Sequence, residues 1–130
     1  MSDVLADTSA WVAFLRGEAT AVRRIDPLLA EGRLAIAGAV YAEILSGTAS
    51  RGDFELLSGL LHGLEWLPEP PNLWERIAQA RFTLARRGFQ AATLDLIIAL
   101  CALEASHTLL TRDRDFTRIQ TVLPFELEVF

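Results

Sequence analysis

Val4-Leu5-Ala6-Asp7-Thr8-Ser9 is the stretch on which the fold turns: a short apolar run ends in an acid and two hydroxyls, and Trp11-Val12-Ala13-Phe14-Leu15 follows directly. The first part has the make-up of a buried strand and the second that of a helix, so the junction delivers a carboxylate to the mouth of a helix. Taken alone, Asp7 reads as an N-cap, because Asp, Ser and Thr are the side chains that satisfy the free amides of a first turn. The remainder of the chain decides whether it does more.

Beyond this junction, strand and helix patterns alternate. The first helix closes at Gly17, and Ala21, Ile25, Leu28 and Leu29 mark a second that Pro27 splits or restarts. Arg33 to Gly38 encloses Leu34-Ala35-Ile36-Ala37, a second strand. From Ala39 to Gly47 the pattern is helical, and Glu43 borders the Val40-Ile44-Gly47 stripe. Ser50 to His62 is another amphipathic helix, with Phe54, Leu57, Leu60 and Leu61 on its inner face, and His62 complements its C-terminal dipole. Leu64 to Leu67 forms a third strand. After Pro68, Pro70 and Pro71, Asn72 and Glu75 make a capping-box signature for a helix to Arg87 that turns Trp74, Ile77, Ala78, Phe82 and Ala85 inward.

Thr93 is the natural cap of the next helix, in which Asp95 is the only charged residue between Leu94 and Leu103. A helix apolar nearly all round packs on several sides, and an acid inside it needs compensation. Thr108 to Leu110 reads as a strand ending in the loop Thr111-Arg112-Asp113-Arg114-Asp115-Phe116, and Phe125 to Val129 alternates as a half-exposed edge strand. This order of elements predicts an α/β fold with a mostly parallel sheet between helices.

The 130 residues, without a Pro/Gly/Ser-rich linker, form one domain, 1–130. Leu96 to Leu103 is the longest apolar run, far short of the roughly 18–20 residues that cross a bilayer. With no basic residue ahead of the first apolar run, the expectation is a cytoplasmic protein without a membrane partner. Cys101 lies inside the longest apolar run and reads as a buried structural thiol. The net charge of −5 excludes nucleic-acid binding through an overall positive field but not through local patches. All 12 basic residues are Arg. That suits bidentate phosphate contacts, and the lack of lysine speaks against phosphoryl sites that place a lysine beside clustered acids.

Parallel sheets put functional groups beyond the carboxyl ends of their strands. Asp7, Asp113 and Asp115 fall there, and Glu43 and Asp95 lie near the starts of helices that pack at the same edge. Gathered acids repel by roughly 3 kcal/mol at about 5 Å and an effective dielectric of 20, so a hard cation, Mg²⁺ or Mn²⁺, is the physical reason to collect them. With Ser9 or Thr8 taking the helix amides, Asp7 is free to join them.

Asp7-Thr8-Ser9-Ala10-Trp11, Glu43-Ile44-Leu45-Ser46-Gly47, Asp95-Leu96-Ile97-Ile98-Ala99 and Thr111-Arg112-Asp113-Arg114-Asp115-Phe116 resemble, in order and spacing, the motifs of PIN-domain ribonucleases, most closely VapC-type toxins. The resemblance spans essentially the whole chain. It implies a PIN-like fold with a five-stranded parallel sheet, and an acidic quartet of Asp7, Glu43, Asp95 and Asp113 that binds Mg²⁺ or Mn²⁺ and hydrolyses RNA phosphodiesters. Asp115 is then accessory, with Thr8, Ser9 and Thr111 in support. It also implies a homodimer and a cognate antitoxin protein. Arg16, Arg112 and Arg114 are the candidates to hold RNA, with Arg86 and Arg87 behind them. The rival reading is a PIN-like RNA- or protein-binding module without cleavage.

Overall fold

The computed structural model describes residues 3–130. The chain runs β1 (Val4–Ala6), α1 (Thr8–Leu15), α2 (Ala19–Ala30), β2 (Leu34–Ile36), α3 (Gly38–Ser46), α4 (Arg51–His62), β3 (Glu65–Trp66), α5 (Leu73–Arg86), α6 (Thr93–Ala105), β4 (Thr108–Thr111), α7 (Phe116–Ile119) and β5 (Glu126–Val129). The strands form one sheet in the order β3-β2-β1-β4-β5, and every pairing in it is parallel. β1 and β2 are buried at each position. That is why their sequences are continuous apolar runs without alternation: helices cover both faces. Leu5, Ile36, Leu96, Leu100, Leu109, Leu110 and Phe116 fill the interior.

α6 is the central covering helix, with Leu96, Ile98, Ala99, Leu100, Cys101 and Ala102 all buried. It ends at Ser106, in a left-handed conformation with φ 57°. β5 is held against α2 by Arg24, whose Nε and Nη2 donate to the two carboxylate oxygens of Glu128 at 2.6 and 2.7 Å. Among the described residues no helix is long and apolar enough to cross a membrane.

Several local expectations change. Pro27 lies inside α2 without splitting it, because the carbonyl it leaves without a donor belongs to Arg23, an exposed residue. Asn72 precedes α5 in a left-handed conformation and makes no side-chain cap bond, so the capping box does not form. The buried stripe of α5 is Leu73, Ile77, Ala80 and Leu84. Trp74 and Phe82 point outward, 64% and 63% exposed. α5 carries apolar residues on two faces, and periodicity alone does not say which faces the sheet. α4 buries Leu61 but exposes Leu60. α7 is a short helix that the loop-like composition of Arg112 to Asp115 concealed.

These neighbours on α4 therefore separate in a stability measurement. By urea denaturation, Leu61→Ala lowers stability by about 2–5 kcal/mol, whereas Leu60→Ala stays within about 0.5 kcal/mol.

Candidate active site

The site begins where β1 and β4 end side by side. Ala6 stands opposite Leu110 in the parallel register, and the Asp7 amide donates to the Leu110 carbonyl at 3.0 Å, so Asp7 and Thr111 emerge from adjacent strands. The Asp7 carboxylate is buried. Its Oδ1 accepts the Ala10 amide at 2.9 Å and the Ser9 hydroxyl at 2.7 Å, and its Oδ2 accepts the Thr111 hydroxyl at 2.7 Å. Asp7 is thus itself the N-cap of α1. The expectation that Ser9 or Thr8 would take the helix amides is corrected, because the carboxylate reaches the Ala10 amide and the hydroxyls turn elsewhere.

Each hydroxyl instead joins two parts of the chain. Thr8 Oγ1 donates to Glu43 Oε1 at 2.6 Å, tying α1 to α3. Ser9 Oγ accepts the Arg112 amide at 3.0 Å and lies 3.2 Å from Thr111 Oγ1. Thr111 Oγ1 also accepts the Asp113 amide at 2.9 Å. Asp113 Oδ1 accepts the Asp115 amide at 2.9 Å, which shapes the turn into α7. Asp115 is exposed, while Glu43, Asp95 and Asp113 are half-buried.

Asp95 enters from the first turn of α6. Thr93, expected to cap that helix, does not. The cap position is Ala92, and no side chain bonds the free amides. The Asp95 carboxyl is pushed up to about 6, first by burial and then by the charges of Asp113, Asp7, Glu43 and Asp115. Burial likewise raises Asp7, with Asp113 adding to it, against the lowering effect of bonds from Thr111, Ala10 and Ser9. The other four acids therefore lie within electrostatic reach of Asp95. Among the described residues, however, no three of them are drawn together closely enough to cage a metal ion as they stand.

The donor set still suits a hard divalent ion: all its side chains offer oxygen, and Asp7 Oδ2 accepts a single described donor, leaving a lone pair open. The arginines differ in availability. Arg112 pairs with Glu18 and stands over the Phe130 ring at 5.5 Å. Arg86 lies over Phe82 at 5.0 Å, and Arg87 donates to Thr121. Arg16 and Arg114 are exposed. Arg16 also lines a groove of about 650 Å³ beside Glu43, with Leu15, Leu56, Leu57 and Leu60. The sequence reading missed this groove, although Leu56 and Leu60, four residues apart, already mark an outer apolar stripe on α4.

The sequence matches the family model described as PIN domain over residues 4–122. The chain belongs to the PIN domain family. Its fold is similar to that of VapBC2 from Rickettsia felis bound to a DNA fragment from its promoter, with a TM-score of 0.76, 23% identity and 98% of each chain covered. DNA-bound VapBC from Salmonella typhimurium gives a TM-score of 0.75 at 19% identity, covering 99% of this chain and 98% of that one. FitAcB from Neisseria gonorrhoeae gives 0.67 at 22% identity, with 95% of each chain covered. No curated protein matches the chain. At these identities the solved structures establish the shared fold, the PIN architecture with its parallel five-stranded sheet.

The raised Asp95 carboxyl has a definite sign in stability. The folded PIN domain binds this proton more tightly than the unfolded chain, so the associated stability is full below the ordinary value of 3.8 and is lost as pH rises through about 6. Without added metal, Asp95→Asn therefore raises the Tm at pH 7, and the gain disappears near pH 4. A variant that melts below the parent at both pH values would assign Asp95 a structural bonding role instead.

Proposed function

We propose that this PIN domain is a metal-dependent endoribonuclease and the toxin of a toxin–antitoxin pair. The observation that carries the reading is the buried Asp7 carboxylate at the joined ends of β1 and β4, tied through Thr111 to the Asp113 turn and through the adjacent Thr8 to Glu43, with the Asp95 carboxyl on α6 raised by burial and by the charges of these acids. Buried like charges are expensive, and their collection at the carboxyl edge of a parallel sheet has a purpose if a cation neutralises them.

Asp7, Glu43, Asp95 and Asp113 are the residues that would hold Mg²⁺ or Mn²⁺. When bound, the ion supplies Lewis acidity toward the phosphoryl oxygens and lowers the pKa of a water. The chain's own groups set up the site. Thr111, Ser9 and the Ala10 amide fix the Asp7 carboxylate, and the Thr8 hydroxyl holds one oxygen of Glu43. Asp115 adds negative charge at the rim. Arg16 and Arg114, exposed on α1 and in the β4–α7 loop, hold phosphate groups of the RNA. Arg112 serves through its ion pair with Glu18 more than through substrate.

The partners follow from the exposed apolar surface. The groove of α1, α3 and α4 presents Leu15, Leu56 and Leu60, which are 49%, 69% and 65% exposed, and it reaches Glu43 and Arg16. An antitoxin segment seated there would cover apolar area and approach the acids in one move. VapBC-5 from Mycobacterium tuberculosis, which has a similar fold, is a member of the VapBC family of toxin–antitoxin systems, and this supports the assignment. A homodimer belongs to the same reading.

Three measurements test the reading. Purified protein cleaves a cellular RNA pool with Mg²⁺ or Mn²⁺ and loses the activity with a chelator or with Asp113→Asn. Metal-independent RNA binding with no cleavage of any RNA in the pool would support a binding module instead. Thr8→Val, which removes the bond orienting Glu43, lowers activity about 10- to 100-fold and raises the metal concentration needed for half-maximal rate. Leu56→Asp with Leu60→Asp retains cleavage but escapes suppression by the antitoxin encoded beside this chain; suppression unchanged would move the antitoxin off this groove.

A further inference from the structure

We propose that Arg81, on α5, is a phosphate-binding residue of the active site, held in position by the hydroxyl of Thr93 to grip the RNA backbone beside Asp95. The proposal rests on the nuclease reading and adds a substrate contact from α5, an element that supplies none of the acids. Arg81 Nη1 donates to Thr93 Oγ1 at 3.2 Å. Thr93 is the first residue of α6, and Asp95 stands in the same first turn. The hydrogen bond therefore ties the guanidinium to the N-terminal turn of α6, the turn that carries Asp95.

What distinguishes Arg81 is that its charge is oriented but not spent. Arg24, Arg33, Arg76 and Arg112 are paired with carboxylates. Arg51, Arg86 and Arg118 lie over aromatic rings. Arg87 is oriented by a hydroxyl too, but by that of Thr121, beyond α7. Among the described arginines, Arg81 alone is tied by a neutral side chain to a helix that carries a candidate metal ligand. A threonine hydroxyl accepts one of five guanidinium N–H groups and adds no negative charge. The remaining donors are available, and Arg81 is exposed. A fork of this kind matches a phosphate's oxygens, and holding it beforehand reduces the ordering cost of binding.

An acidic site also needs such a residue. Its net field repels RNA before any contact forms, so cations must stand close to the acids without neutralising them. Arg114 approaches from the β4–α7 loop and Arg16 from α1; Arg81 does so from α5. An RNA strand lying across the start of α6 meets Arg81 at a phosphate next to the one being cleaved. Thr93 acts as a positioning residue, through the guanidinium and not on the RNA.

The test uses the full chain and a single-stranded RNA oligonucleotide that the parent cuts, with initial rates over a salt series and binding measured with chelator present. Arg81→Ala raises KM about 10-fold or more with little change in kcat. It flattens the dependence of log binding on log salt by about 0.7, the increment for one phosphate contact on a single strand. Arg81→Lys recovers part of the loss through charge alone. Arg81→Gln keeps an N–H for Thr93 and most of the side chain's bulk, so it shows the same loss in a protein whose melting is unchanged. Thr93→Val shows a smaller rise in KM, while Arg23→Ala, which removes an equal charge from α2, shows none.

If the parent cleaves and Arg81→Ala and Arg81→Gln match it in KM and salt slope, the inference falls and the nuclease reading stands. The same holds if Arg23→Ala is as impaired as Arg81→Ala, since net charge would then explain both. A parent that neither binds nor cuts RNA overturns the two together.

Discussion

The junction of β1, α1 and β4 hangs on one buried carboxylate. Asp7 bonds the Ala10 amide, the Ser9 hydroxyl and the Thr111 hydroxyl, while its own amide completes the ladder to Leu110. A buried carboxylate costs several kcal/mol unless such donors replace its water, and here three of them come from two sides. The result is an acid that cannot rotate away from the sheet edge. Asp113 and Glu43 are placed relative to it, directly by the Thr111–Asp113 turn and less directly by the Thr8–Glu43 bond that sets α3 against α1. Asp7 is therefore structural and chemical at once. Its replacement would disturb α1 as well as any ion, so Glu43 and Asp113, which cap no helix, are the clearer reporters of chemistry.

The acidic cluster is the costly part of this fold, and the rest of the molecule shows where the balancing charge went. Arg24, Arg33 and Arg76 neutralise Glu128, Asp3 and Glu104, none of which belongs to the cluster. Those pairs are partly exposed and contribute little to stability. Drawing one of them into the site would relieve Asp95, but it would also occupy the place of a cation. The raised Asp95 carboxyl is the thermodynamic mark of that choice: stability is given up at neutral pH to keep the oxygens uncommitted. The core can bear this because α6 is packed along nearly its whole length behind Asp95.

Much of this architecture was legible from the residues. Buried parallel strands announce themselves as unbroken apolar runs, and Val4-Leu5-Ala6, Leu34-Ala35-Ile36 and Leu109-Leu110 sit where those runs predict. The positions of Asp7 and Asp113 after strand ends and of Asp95 in a first helical turn were legible in the same way, whereas Glu43, expected near the start of its helix, lies in the second turn of α3. Hydrogen-bond ownership was not legible. Asp, Ser and Thr are all good caps, and only the backbone geometry assigns the Ala10 amide to Asp7 and frees the hydroxyls for Glu43 and Thr111. The orientation of α5 was hidden for a related reason: Trp74 and Phe82 are as apolar as Ile77 and Leu84, and what decides between two apolar stripes is the partner they meet. Arg81 was invisible because the residue that gives it a role, Thr93, is far from it along the chain.

A net acidic protein that acts on a polyanion must solve an electrostatic problem in space instead of in composition. Total charge would repel RNA, yet the field at a site depends on the groups within about a Debye length, roughly 8–10 Å in physiological salt. Within that range an ion bound by the acids would reverse the local sign, and a few arginines without carboxylate partners would extend the favourable field along the strand. Arginines already paired with carboxylates outside the cluster spend their charge there and serve the fold. The −5 net charge is then compatible with nuclease chemistry on one condition, that the metal is present. Apo protein should bind RNA less tightly than the metal-loaded protein because its acids stand unneutralised, so metal occupancy, more than the average charge of the surface, sets the affinity.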